Sequence, residues 1–535
     1  MNPYVIAIVV IAAYLIILYA LNRTGALAKH GIRLWGPVAM WRTEKGKRLI
    51  ERLAGPKRFW RFYSFFAKVV CLCVMAFIMA LLIWEAMIVG NIPAESAPSP
   101  ELLLGIPGIN PIIPIGYGIL GLIVAIVVHE FAHGILTRVG GLRLKSLGLV
   151  FLVVPLGAFV EPDEDELVKT EKKKRTSVYS AGPAMNVVVA VICALLFSSL
   201  FLSSAEPVRE GQVVLSVAAG GPADHAGLVF GSQIVNIDGH AVVTKDDFEN
   251  MTAPFPGNNV TVEYYHSDQL KSAEVASGVV VTQTSSDLPA AEAGMKIGMI
   301  IASLNDSVIY NSSDFSRALS LTKPHQTVNV TVLAFYEGSG RFEEFSAIKT
   351  VTLESRRDYY LKYAPDLVGP DFKDVGYLGV NTAYLGAVVN SPEVIVRRLA
   401  HPYYGVDSIG ESITSTLGYL ALPFAGLPPI QSPVTDLFSP GGVLAWMPSG
   451  AFWVLANSFY WIFWINIMVG MTNVLPAVPL DGGYLFRDWL DSIILKVKKN
   501  ATQKERERYV ARITYALALI VLFLVIWPII GPRVL

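Results

Sequence analysis

Charge is what this 535-residue chain has least of: 16% of its residues are Asp, Glu, Lys or Arg, where a soluble globular protein spends about a quarter. With 53% hydrophobic residues and a mean hydropathy of +0.48, the polar residues are too few to enclose the apolar ones in a single soluble enzyme. A basic excess is also missing. The 43 Lys and Arg balance 43 Asp and Glu, which excludes a nucleic-acid binder built on a basic domain. Cysteine is scarce, and Cys71, Cys73 and Cys193 all lie in apolar runs, which excludes a disulfide scaffold. No small-residue cleavage site follows the first apolar run, which outlasts a signal-peptide core and is expected to be a retained span.

What the chain has instead is long apolar runs. Six of them, over 4–21, 67–90, 114–136, 182–203, 449–472 and 512–531, approach or exceed the ~20 residues that cross a hydrocarbon core. Two more, 146–160 and 412–430, are broken by Gly and Pro and suit re-entrant or groove-lining elements. The 22–62 loop holds about eleven Lys and Arg against Glu44 and Glu51. The positive-inside rule therefore makes it cytoplasmic, a side shared by the basic runs Lys169–Arg175 and Lys496–Arg512. That loop carries no readable motif, and its charge suits contact with anionic lipid. The insert from 204 to about 400 has roughly 14 bases against 23 acids and falls on the outer side. It contains five Asn-x-Ser/Thr sequons, at Asn250, Asn259, Asn305, Asn311 and Asn329. No targeting signal is visible, so a multi-pass protein of a prokaryotic cell membrane is expected.

The insert repeats itself. PADHAGLVFGSQIVNIDGHAV at 222–242 aligns with PAAEAGMKIGMIIASLNDSVI at 289–309, an offset of 67. An alternating strand closes each copy, NVTVEYY at 259 and TVNVTVL at 327, which predicts two small α/β units. The shared pattern resembles the PDZ-domain family, the first copy more closely than the second, and implies peptide binding without identifying a carboxylate-binding loop in either. The fold expected is a polytopic α-helical membrane protein of about six transmembrane helices with an extracytoplasmic tandem of PDZ-like α/β domains. Its divisions are 1–113 (first helices and basic loop), 114–203 (first half of the membrane core), 204–284 and 285–400 (the two PDZ-like domains, the second with a linker), 401–490 (second half of the core) and 491–535 (basic segment and last helix).

Chemistry enters with IVAIVVHEFAHGIL, near the cytoplasmic end of the third span. Residues four apart on a helix lie ~40° apart, so His129 and His133 share a face and can share a metal; Glu130 can reach a water on it. This is the HExxH arrangement of zinc proteases, and ionisable groups inside an apolar span mark function. A hydrolytic zinc site takes three protein ligands and leaves the fourth position to water. The other six histidines lie in loops or the insert, which leaves a carboxylate. Glu85 falls at the outer end of its span, on the wrong side of the bilayer. Glu161 and the acids after it are not excluded by depth. Asp481 fits best, because the Pro and Gly residues of NVLPAVPLDGG break the helix and can turn a side chain inward.

HEFAH, SAGPAMN at 180–186 and NVLPAVPLDGG, in that order and with the PDZ-like units between the second and third, resemble the site-2 protease family of intramembrane zinc metalloproteases. The resemblance covers most of 114–490. It implies one zinc ion held by His129, His133 and Asp481 in the cytoplasmic half of the bilayer, with Glu130 as general base. It also implies that Asn186 positions the substrate carbonyl or stabilises the oxyanion. The implied substrates are membrane-spanning proteins, cut after another protease trims their outer part. The irregular 146–160 strip can either pair with an unwound substrate strand or simply pack as a hairpin. A different class, a catalytically silent membrane scaffold whose PDZ-like units bind partner proteins, shares the architecture and is separated from the first by cleavage.

Overall fold

The computed structural model describes residues 3–29, 31–44, 46–91, 97–152, 154–251, 254–346, 348–369, 372–426, 429–498 and 502–534. It divides into two compact units, one made of 1–197, 420–429 and 454–535, the other of 198–419 and 430–453. Val153 of the 146–160 strip, Leu427 and Pro428 of the 412–430 stretch, and Thr252 of the first sequon lie outside the described residues.

The long helices are α1 (Pro3–Arg23), α2 (Lys57–Ile88), α3 (Ile115–Val139), α4 (Lys172–Leu195), α5 (Ser449–Asn473), α6 (Asp481–Val497) and α7 (Gln503–Val534). Among the described residues, five helices are long and apolar enough to cross a membrane: α2, α3, α4 with its continuation to Ser204, α5 and α7. The first expected span forms α1, of which residues 12–23 count only as a shorter apolar helix. Two spans start earlier than hydropathy alone suggests. Lys57, Arg58 and Arg61 belong to α2, and SAGPAMN lies inside α4 rather than at its start, with Pro183 a dozen positions into the helix. Charged residues continue a helix past its apolar stretch because straight-chain Lys and Arg are good helix formers.

The broken apolar strip is a β-hairpin, and the basic loop extends it. Strands β1 (Ile32–Trp35), β2 (Val38–Thr43), β3 (Leu144–Leu152) and β4 (Val154–Pro162) form an antiparallel sheet in the order β1-β2-β3-β4. Trp41 pairs with Leu149 and Leu147 with Val160. β4 is therefore an edge, and it lies on α3. Gly134 permits that approach, since a Cβ there would stand 3.0 Å from Val160 Cγ1 and 2.9 Å from Ile50 Cδ1. Ile50, Tyr63, Ala132, Ile135, Leu147, Val160, Ala181, Ala184 and Val474 form one buried core that joins sheet and helices. The 412–430 stretch contains a helix, Ile409–Ala421, followed by a 3-10 turn over Leu422–Ala425.

The insert holds two sheets of matching plan. Strand Gln212–Val217, helix Pro222–His225, strand Gln233–Ile237, strand His240–Ala241 and helix Lys245–Glu249 recur as Val279–Thr284, Pro289–Glu292, Ile300–Leu304, Ser307–Val308 and Ser312–Ser320. Each start is displaced by 67, as 212 to 279 and 245 to 312. The modules are nested rather than tandem. The second sheet is closed by Val380–Tyr384 against Val279–Thr284, and the first by the later strand Ala387–Asn390 against Gln212–Val217. The expected boundaries move accordingly: Val279–Thr284 belongs to the second module, and Ala387–Asn390 returns to the first. Sequence similarity could not place these closing strands, because they lie outside the repeated stretch.

Gly298 tests the seam between the modules. It has φ +90°, and a Cβ would lie 2.6 Å from the carbonyl oxygen of Ala219. Gly298→Ala is expected to cost about 1–3 kcal/mol and to speed amide hydrogen exchange in both sheets; unchanged protection would show that the seam does not carry the modules' stability.

Candidate metal centre

His129 and His133 sit one turn apart on α3, with ring centroids 4.7 Å apart at 72°. Asp481 opens α6, directly after the Val474–Leu480 turn. That turn is tight enough to exclude side chains at its exit: a Cβ on Gly482 would lie 2.1 Å from Val474 O, and one on Gly483 2.5 Å from Ala477 C. The two glycines thus bring the Asp481 carboxylate onto the histidines. Asp481 Oδ2 lies 3.1 Å from His129 Nε2 and 3.2 Å from His133 Nε2, and the two Nε2 atoms are 3.1 Å apart.

These separations suit zinc. Ligand atoms of a tetrahedral zinc site, at bonds of about 2.0 Å, stand about 3.3 Å from one another. Two nitrogens and a carboxylate oxygen are also a donor set that zinc accepts. Glu161, the open alternative, is engaged elsewhere: it accepts from Ser146 Oγ at 2.5 Å and pairs with Arg42 at 3.5 Å. Among the described residues, His129, His133 and Asp481 form the one cluster of metal-ligating type.

Each imidazole is held from behind. His133 Nδ1 lies 2.8 Å from the carbonyl oxygen of Val178, so Nδ1–H donates there and Nε2 is left to face the cluster. His129 Nδ1 lies 3.2 Å from the Asn186 amide nitrogen, while Asn186 Oδ1 has no partner. Metal on Nε2 places the proton on Nδ1, and a half-turn of the amide then lets Oδ1 accept it, which gives the orphaned oxygen its bond. Asn186 is 0% exposed and meets His129 on the ring nitrogen opposite the one facing Asp481. It can orient a ligand but does not line the cavity.

Gly182, one turn before Asn186, makes the centre possible. A Cβ there would stand 2.5 Å from His133 Nε2 and 2.6 Å from His129 Nε2. The glycine of SAGPAMN is thus the floor under both ligand atoms.

Glu130 faces β4, where its Oε2 accepts the backbone N–H of Val160 at 2.8 Å. A cavity of about 520 Å³ opens over Glu130 and the three clustered residues, with Tyr179 and Tyr484 stacked at 5.2 Å on its wall. Asn473, the first residue of NVLPAVPLDGG, also lines it and was missed at the sequence level; its place in a motif next to Asp481 was the available signal.

Ion pairs set the register of α6. Arg175 on α4 donates to both oxygens of Asp488, Nε to Oδ2 at 2.8 Å and Nη2 to Oδ1 at 2.5 Å. Their side chains are 13% and 5% exposed, so the pair is well shielded. Lys172 pairs with Asp491, which also faces Arg506. Burial alone would push the Asp491 carboxyl up, yet these two cations hold it below its ordinary value. Asp488 is two turns beyond Asp481 on the same face. The basic run Lys169–Arg175 therefore contributes specific partners as well as charge.

Two substitutions test this construction by zinc content of the purified protein. Gly182→Ala is expected to displace both imidazoles and lower zinc occupancy at least about tenfold; full occupancy would mean that the floor gives way. Asp488→Asn leaves Arg175 shielded without its counter-charge and is expected to cost about 3–5 kcal/mol of stability, read as a lower midpoint of thermal unfolding.

The model of peptidase family M50 matches residues 117–521. An uncharacterized protein of Methanocaldococcus jannaschii is 30% identical over 291 residues, which is 52% of this chain and 74% of that protein. A Clostridium perfringens protein provisionally named a zinc metalloprotease is 32% identical over 157 residues, 28% of this chain and 45% of its own. A Rhizobium meliloti protein of the same provisional name is 28% identical over 175 residues, 25% of this chain and 46% of its own. The chain thus spans a little under half the length of these two named relatives. With a family match running from α3 into α7, the chain belongs to peptidase family M50, the site-2 proteases, and is a metalloprotease.

Proposed function

We propose that the chain hydrolyses peptide bonds within or near the membrane-spanning segments of other proteins, in regulated intramembrane proteolysis. His129, His133 and Asp481 hold one zinc ion, and Glu130 is the general base. The observation that carries this reading is the triangle of donor atoms 3.1–3.2 Å on a side, with both histidines on the apolar helix α3 and Asp481 at the start of α6.

When bound, zinc supplies Lewis acidity and makes its water acidic near neutral pH. The chain's own residues do the rest. Glu130 takes a proton from the attacking water and returns it to the leaving nitrogen. Asn186 and the Val178 carbonyl hold the two imidazoles so that each Nε2 faces the cluster. Asn473, on the cavity wall, donates its amide nitrogen to the Val469 carbonyl at 3.0 Å and keeps its Oδ1 for the substrate backbone.

A helical substrate has its carbonyls already hydrogen-bonded and must unwind before attack. The β4 edge is placed to receive the unwound strand. Strand alternation puts the backbone groups of Ala158 on the same edge as Val160, whose N–H already meets Glu130. A substrate strand added there would run beside the general base.

In the remaining parts of this reading, the placement across the membrane follows from charge and hydropathy, and the role of the modules from the resemblance to the site-2 protease family. Six spans cross the cell membrane, the metal lies in the cytoplasmic half, and the nested modules, PDZ-like in sequence pattern, lie outside. There they read trimmed substrate tails or block bulky ectodomains, so that a first cleavage by another protease admits the substrate.

The decisive comparison is wild type against Glu130→Gln, reconstituted with a single-span substrate and assayed for both cleavage and zinc. Glu130→Gln is expected to keep its zinc and to lose about 10²–10⁴-fold in rate. Asp481→Asn is expected to lower zinc content. Zinc-loaded wild type that cuts none of several substrates would favour the silent scaffold.

A further inference from the structure

The cavity over the metal centre carries one charge that hydrolysis leaves unused. Among the described residues that line it, Glu130 and Asp481 are acidic and Arg487 is the one Lys or Arg. The Arg487 guanidinium makes no ion pair among the described residues. The carboxylates that follow it on α6 are already taken, Asp488 by Arg175 and Asp491 by Lys172 and Arg506. Asp488 is buried against α4, whereas Arg487 beside it is exposed. Its charge acts instead on Tyr179, the ring stacked on Tyr484 in the cavity wall. An exposed arginine at a cavity wall with no acid to meet is a receptor for a carboxylate, which its two-nitrogen fork fits.

Its place along the chain says which part of a substrate it meets. α6 leads from Asp481 toward the basic segment that begins at Lys496, which the positive-inside rule puts in the cytoplasm. Leu167 and Val168, just before the basic run Lys169–Arg175, line the cavity too, so it reaches that side of the membrane. From Asp481 to Arg487 the helix rises about 9 Å at 1.5 Å per residue. An extended substrate strand covers that distance in about three residues.

We propose that Arg487 selects substrates by pairing with an acidic side chain about three residues to the cytoplasmic side of the cleaved bond. This rests on the protease reading above. The selection is repulsive as well as attractive. Most membrane spans carry Lys and Arg at their cytoplasmic ends, and Arg487 opposes such an end as it enters the cavity. A span with Glu or Asp at that point is admitted. A protease surrounded by the spans of every other membrane protein gains discrimination from one like-charge contact of this kind.

The test uses the zinc-loaded full chain in vesicles and a single-span substrate in which Glu, Gln or Lys is placed in turn at each residue of the cytoplasmic end. Cleavage rates are measured with wild type, and affinities for the same labelled substrates with Glu130→Gln, which needs no cleavage. At one position, about three residues from the cleaved bond, Glu is expected to exceed Lys about tenfold in kcat/KM, chiefly through KM, and to bind correspondingly tighter. Arg487→Glu is expected to reverse that order, Arg487→Gln to level it and Arg487→Lys to keep it, with zinc content measured in each. Rates and affinities that ignore the substrate's charge, or an order that survives in Arg487→Glu, would overturn the assignment. So would an effect confined to kcat, which marks a disturbed metal centre rather than a substrate contact. Failure of the protease reading shows separately, as a wild type that cuts none of the substrates, and the ranking of affinities then decides the role of Arg487 by itself.

Discussion

Three ligand atoms must meet in a helical, mostly apolar surrounding, and nearly every unusual feature of the first unit serves that meeting. Two imidazoles and a carboxylate brought within 3.2 Å of one another leave no space for a side chain beneath them, so residue 182 is glycine. The carboxylate comes from a helix start, which requires the chain to reverse within a few residues, and Gly482 and Gly483 supply the clearance. A buried polar cluster is costly unless every member is bonded. Val178 and Asn186 bond the far sides of the two imidazoles, and the donor set facing inward is one that a metal ion would satisfy.

The same constraint fixes how the helices pack. α4 carries the floor and the support for His129, while α6 carries Asp481. The two are locked by the shielded Arg175–Asp488 pair and by Lys172 with Asp491. A buried ion pair contributes little net stability compared with apolar packing, but it specifies register. Register is what a ligand at the first residue of α6 needs. The sheet has a comparable role for Glu130, because β4 can place its Val160 N–H on that carboxylate only while β3 holds it from the other side.

In the insert, nesting has its own consequence. The first module opens with Gln212–Val217 and closes with Ala387–Asn390, and these two strands are neighbours, with Asn390 opposite Val213. The chain therefore enters and leaves the pair of modules on two paired strands. The connection from Val380–Tyr384 to Ala387–Asn390 is a two-residue turn, Leu385 and Gly386, both at positive φ, so the closing strands of the two sheets are tied directly together.

Much of this was legible in the residues. Periodicity and hydropathy depend on local order alone, so the apolar helices, the i,i+4 histidine pair and the 67-residue repeat could be read directly. Motif order was enough to name Asp481 with the histidines and the family with them. What pairs with what across long separations could not be read. The basic 22–62 loop carries no pattern announcing that its strands extend a hairpin more than a hundred residues away. The run Lys169–Arg175 looks like any positive-inside segment until Asp488 and Asp491 are seen opposite it. The motif alone gives Asn186 as a substrate contact, whereas its burial and its amide beside His129 Nδ1 are seen only in the folded chain. The sequence by itself determined which groups are present and which helices carry them, since both follow from composition and short-range spacing. The tertiary structure alone decided which atoms face one another, because that depends on the absence of a Cβ at 182, the turn before 481 and the strand edge over Glu130, each set by packing between distant segments.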